Sequence, residues 1–130
     1  MMTITGFPTS SDIYLEVDGK KVTVVQSYSA KATRTSTEIE AFGEAAPVAT
    51  VAGQVRYVLE LSRLYVTDQT MQDGIDFYAL DGFSLVICKP DRRIIYSDCR
   101  WSSIHEDAAL GKTVLEKVTV VAAKRIETGA

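Results

Sequence analysis

From Val22 to Thr35 the chain reads Val22-Thr23-Val24-Val25-Gln26-Ser27-Tyr28-Ser29-Ala30-Lys31-Ala32-Thr33-Arg34-Thr35. The even positions through Ala32 are apolar apart from Gln26, and the odd ones are polar apart from Val25. Successive side chains of a β-strand point to opposite faces, so this stretch predicts one long strand with a core row and a hydroxyl-rich row. The pattern returns from Gly53, with Val55, Tyr57, Leu59, Leu61 and Tyr65 in the apolar row and Gln54, Arg56, Glu60 and Ser62 in the polar one. A helix over 55–66 competes, since Leu and Glu favour helices, but alternation together with Val and Tyr favours strand.

Upstream, Ile13–Val17 is β-prone, and Asp18-Gly19 suits a tight type I′ turn. Downstream, Asp68 is placed to cap a short α-helix through about Leu80, with Met71, Ile75, Tyr78 and Ala79 on one face. Gly74 in its middle costs about 1 kcal/mol, so this helix needs tertiary support. Phe83–Cys88 and Ile94–Trp101 then predict a hairpin, and a last strand is expected from Lys112 to about Ile126. Ser103-Ile104-His105-Glu106 has capping-box spacing and predicts a single helical turn. The expected fold is mainly β (α+β), an antiparallel β-sandwich or barrel with one short flanking α-helix. Strands of about 12–14 residues exceed the usual 5–6, which points to a surface completed by other copies.

The chain of 130 residues is long enough for one core. Residues 1–11 read as an N-terminal arm, 12–127 as a single β domain, and 128–130 as a C-terminal tail. Within the domain, Thr37–Ala52 breaks the alternation and reads as a projecting loop. Met1–Thr5 has no basic, then apolar, leader pattern, so folding in a cytosol is expected, and no apolar run of about 18 residues predicts a membrane span. The net charge of -3 argues against a duplex-binding module.

Cys88 and Cys99 flank the predicted hairpin. With its turn centred on Asp91-Arg92, Cys88 faces Ile95 and Cys99 faces Ser84, so two buried free thiols are expected. No Cys-x-x-Cys pair occurs and His105 is the only histidine, so neither a zinc site nor any other metal or cofactor is expected. Gly111-Lys112-Thr113 lacks the earlier glycine of a phosphate loop, position 106 being Glu106. Gly82-Phe83-Ser84-Leu85-Val86 ends in valine where a nucleophile elbow needs glycine. His105-Glu106-Asp107 reads as a solvated loop, and Asp68, Asp73, Asp76 and Asp81 lack calcium-loop spacing. Tyr96 and Trp101 read as core or interface anchors, and no enzymatic site is expected.

The opening Asp12-Ile13-Tyr14-Leu15-Glu16-Val17-Asp18-Gly19-Lys20-Lys21, the Ser/Thr-rich strand, the loop Glu38-Ile39-Glu40-Ala41-Phe42-Gly43 and the later hairpin together resemble the tail tube proteins of long-tailed phages. The likeness is nearest to the tube protein of defective phage-like elements of Gram-positive bacteria, and it runs from about Ser11 to Ile126. It implies hexameric rings stacked into a hollow tube, in which one sheet of each copy joins its neighbours in a continuous inner barrel. It also implies tail sheath, baseplate initiator and tape-measure proteins as partners. DNA or an effector would pass without specific binding and without a membrane, and assembly would take place in the host bacterial cytoplasm before the tube joins the particle tail. Mapped onto this chain, the polar rows Thr23, Ser27, Ser29, Lys31, Thr33, Gln54, Arg56, Glu60 and Ser62 would line the lumen, where a neutral or acidic hydroxylated wall lets DNA slide. Lys31, Arg56 and Glu60 leave the wall's net sign open. Glu38, Glu40, Phe42 and Glu44 would make inter-ring contacts. Two alternatives remain: another β-sandwich component of a tail or secretion-system tube, and a small monomeric binding module.

Overall fold

The computed structural model describes residues 6–129. Seven strands follow in chain order: β1 Tyr14–Val17, β2 Lys20–Lys21, β3 Val25–Ile39, β4 Ala49–Leu64, β5 Phe83–Cys88, β6 Arg92–Asp107 and β7 Leu115–Gly129. They form one sheet in the order β2-β1-β5-β6-β7-β4-β3, antiparallel throughout and not closed into a barrel. As the dipeptide predicts, Asp18 and Gly19 take the positive φ values of 48° and 83° that a type I′ turn needs.

The β6–β7 ribbon is shared by two halves of the sheet. Its first half in β6, Arg93–Cys99, pairs with β5; the opposite half of the ribbon pairs with β4, through Leu115–Ala122 of β7. Extra residues in β6 near Asp98, where φ is 52°, and at Ser102 interrupt the ladder where the halves meet. Bulges of this kind bend and twist a strand. Leu59, Leu61, Val118 and Val120 of one half and Leu15, Val17, Leu85, Ile87, Ile94 and Tyr96 of the other share a single core with Ile75 and Phe77. Tyr57 meets Tyr96 edge to face across it, with ring centroids 6.0 Å apart. Full burial of a side chain such as Leu85 contributes about 1.5–3 kcal/mol.

Several expectations are corrected. No α-helix forms between Asp68 and Leu80; the segment is turns ending in a 3-10 turn at Phe77–Ala79. Its carboxylates compete with helical bonding, because Asp68 accepts from the Thr70 N–H and Asp73 from the Ile75 N–H. Ser103–Glu106 is not a helical turn but part of β6. Thr37–Ile39 and Ala49–Ala52, read as loop, pair as strand, so the loop proper is 40–48. Thr128 and Gly129, read as tail, pair with Arg93 and Arg92. Residues 1–5 of the arm and Ala130 lie outside the described residues. Cys88 pairs with Arg93 and Cys99 with Phe83, the turn falling at Pro90-Asp91, one residue earlier than expected, and both thiols are free and buried.

Candidate functional site

Strands β3 and β4, the Leu115–Val121 part of β7 and the Arg100–Asp107 part of β6 carry a polar face opposite the core. The register sets it out in rows across the strands. Ser27 pairs with Ser62, Ser62 with Lys117 and Lys117 with His105; the next row is Ser29, Glu60, Thr119 and Ser103. Lys31, Val58, Val121 and Arg100 follow, then Thr33 with Arg56. A shallow groove of about 430 Å³ runs over the first two rows. Ser27 and Ser62 hydrogen-bond to each other through their hydroxyls, which lets Ser62 sit buried.

Of the nine residues expected on a polar face, Ser27, Ser29, Lys31, Thr33, Arg56, Glu60 and Ser62 are thus brought together, and Gln54 sits at the β4 bulge beside them. Thr23 does not belong. One extra residue, Gln26, between the Val25–Arg63 and Ser27–Ser62 pairs reverses the alternation, so Val25 packs on the core. Thr23 instead donates its backbone N–H to Asp73 at 3.0 Å and its hydroxyl to the Met71 carbonyl. Asp73 in turn holds Arg63, whose guanidinium also binds Glu116 at 3.0 Å and the Ile75 carbonyl at 2.7 Å and lies over the Phe77 ring. This cluster straps the 65–80 connection to the sheet.

Sequence reading missed Lys117, Thr119, Ser103 and His105 on the polar face. The alternation Lys117-Val118-Thr119-Val120 is the signal for the first two, whereas the bulge at Ser102 hides the others. Lys31, Arg56, Lys117 and Glu60 form no ion pair within 4 Å among the described residues, while Arg100 pairs with Asp81 and Asp98. Lys31, Arg56 and Lys117 share the face with the carboxylates of Glu60 and of Asp107, two residues beyond His105, so the face carries both signs.

The face is poorly suited to nucleophilic catalysis. Ser62 on β4 and His105 on β6 are separated by β7, which places them about 9–10 Å apart at the usual strand spacing, beyond a nucleophile–base hydrogen bond. His105 is exposed and pairs with Asp107 at 3.2 Å. Burial pushes the Cys99 thiol up to about 11, so it stays protonated and unreactive at neutral pH.

At the far end of β3 and β4 the hairpin stands clear of the sheet, since β4 pairs with β7 only from Tyr57 onward. Gly53 permits this hairpin's bulge, for a Cβ there would lie 2.4 Å from the Thr35 carbonyl oxygen. Glu38 lies within β3, paired with Thr50, whereas Glu40, Phe42 and Glu44 sit in the tip. Phe42 is fully exposed, and Ile39, Val48 and Val51 around it are also open to solvent. Trp101 is partly exposed on β6, edge to face with Tyr78, while Tyr96 is buried in the core.

No family model matches the chain, and no curated protein matches its sequence. Solved structures do share its fold. A chain of the anti-feeding prophage (AFP) tube-terminating cap superposes with a TM-score of 0.72 at 12% identity, over 100% of this chain and 96% of that one. A chain of the sheath–tube complex of the extracellular contractile injection system PVC, in its extended state, gives 0.70 at 13% identity, over 97% and 95%. The SPP1 tail tube gives 0.58 at 14% identity, over 94% and 79%. The fold is therefore that of phage tail tube and tube-terminating proteins, mainly β and antiparallel as the sequence predicts.

Proposed function

We propose that this chain is a structural tail protein that self-assembles into rings, six copies each, which stack into the hollow inner tube of a phage or phage-like tail. One observation carries the reading: a continuous polar face lies between two strand edges that have no partner among the described residues. β3 ends the sheet on one side, and β6 beyond Cys99 has no neighbour but β7 on the other. Edges this long are hazards in a monomer and are removed when pairing with further copies closes them. Closure would turn the polar face into the wall of a channel.

Its residues would then be Ser27, Ser29, Lys31, Thr33, Gln54, Arg56, Glu60 and Ser62, joined by Lys117, Thr119, Ser103 and His105. The hydroxyls give a wettable wall without base readout, and its interspersed cations and carboxylates offer a polyanion no uniformly basic surface to hold it. The role is architectural, and the partners follow from the place: further copies, and the sheath, initiator and tape-measure proteins of a tail. Assembly in the bacterial cytoplasm and residence in the particle tail complete the reading.

Negative-stain electron microscopy of the purified protein at rising concentration, with sedimentation for mass, tests it. Rings or tubes with a central hole are expected; a persistent monomer of 130 residues overturns the reading. A tube-terminating ring is the second reading, supported by the superposition on the AFP cap, and it predicts single rings that do not elongate at any concentration.

A further inference from the structure

The strand that carries the exposed tip also carries, at its other end, a cleft that matches it. Between the first strands and the start of β3 lies a cavity of about 600 Å³ with apolar walls from Ile13, Val22, Val24, Val25 and Tyr28. Lys21 lines the same cleft, its ammonium 5.1 Å from the centre of the Tyr14 ring, and it forms no ion pair among the described residues. Asp12 is the acid on the rim, and it already accepts the Thr9 N–H at 2.9 Å within its own turn. Val24 in the cleft wall holds φ at 54°, a conformation that a β-branched residue takes only where its surroundings impose it.

The tip has the complementary chemistry. Phe42 is fully exposed, and carboxylates stand two residues to either side, at Glu40 and Glu44. Tip and cleft lie at opposite ends of the 15 residues of β3, about 50 Å apart at the usual rise, so one copy cannot satisfy itself. A contact between different patches of identical chains repeats head to tail, and it extends as a stack where the rotation between copies does not close it into a ring.

We propose that the cleft is the receptor for the hairpin tip of a second copy, the Phe42 ring entering between Val24, Val25 and Tyr28 while Glu40 or Glu44 pairs with Lys21. This rests on the reading of stacked copies and adds to it the site on the receiving copy. It makes the stacking contact part hydrophobic and part charged, and so sensitive to salt.

The test is a charge swap. Lys21→Glu alone, and Glu40→Lys with Glu44→Lys, are each expected to shorten tubes at least about tenfold, a decade in contact affinity, with rings intact. All three substitutions together are expected to restore the length to within about twofold, since opposite charges again meet. Gln26→Cys with Phe42→Cys, both exposed positions in the isolated chain, is expected to give oxidised ladders between copies. Tubes of unchanged length in both single-sided reversals, with no ladder, overturn the proposal; a cleft filled by the chain's own N-terminal arm would give that result. Ladders without rings would keep the tip-in-cleft contact and overturn the ring reading, whereas rings without ladders would do the reverse.

Discussion

Strands β3 and β5 belong to one sheet and share almost nothing else. β5 is flanked by β1 and β6, and five of its six residues are buried. β3 has one neighbour, β4, and none of its 15 residues is fully buried. The first is finished within a single chain. The second pairs its backbone on one side only, and its polar face and tip belong to surfaces that copies complete. Long strands with unburied ends are costly to maintain alone, so the difference marks where folding ends and assembly begins.

This contrast can be broken by mutation. The largest effect on folding is expected at the finished strand: Leu85→Ala should cost about 3–4 kcal/mol in chemical denaturation, against less than about 0.5 kcal/mol for Ser29→Ala on β3. Equal costs would mean that the two strands are equally integrated. Next comes the strap. Arg63→Ala leaves Asp73 and Glu116 facing a mostly buried gap and is expected to cost about 2–4 kcal/mol, with hydrogen exchange rising first in the 65–80 connection.

Raising the pH acts through Cys99. Its thiol is held up at about 11 from an ordinary value of 9.0, so the unfolded chain binds fewer protons than the folded one between these values. Stability contributed by the neutral thiol is whole below about pH 9 and is lost progressively toward pH 11, by up to about 2 kcal/mol. The slope should flatten in Cys99→Ala; if it does not, another group sets the alkaline limit. Gly53→Ala, which drives a Cβ against the Thr35 carbonyl, is expected to cost about 1–2 kcal/mol and to distort the hairpin's outer half. The smallest effect on folding is expected at the tip. Phe42→Asp should move stability by less than about 0.5 kcal/mol, because the ring touches little in its own chain, and yet impair stacking; unchanged tube length by electron microscopy would count against the tip as a contact.

Much of this was legible residue by residue. The alternation in Ser27–Thr35 and Val55–Ser62 placed seven polar side chains on what is one face, and the Asp18-Gly19 turn is where the dipeptide puts it. Each departure has its own physical cause. Alternation alone puts Thr23 in the polar row, because nothing in the sequence marks Gln26 as an extra residue, and a bulge of one reverses every position before it. The helix expected from Asp68 to Leu80 had caps and a partly apolar face, but Arg63, distant from it in local pattern, recruits Asp73 and the Ile75 carbonyl and holds the segment open. The tip stayed strand-paired farther than expected, because Thr37–Ile39 and Ala49–Ala52 satisfy each other's backbone even without a core beneath them.

The sequence by itself determined the central stretches of the long strands, the hydroxyl-rich row and the exposed acidic, aromatic tip, since each depends on side-chain periodicity and local backbone preference. Only the tertiary structure decided that Lys117 and His105 join that row, that two strand edges flank it unpaired among the described residues, and that a cleft with Lys21 opens at the opposite end of the strand from Phe42. These depend on register and on which strands meet, and register is set by bulges and core contacts between residues far apart in the chain.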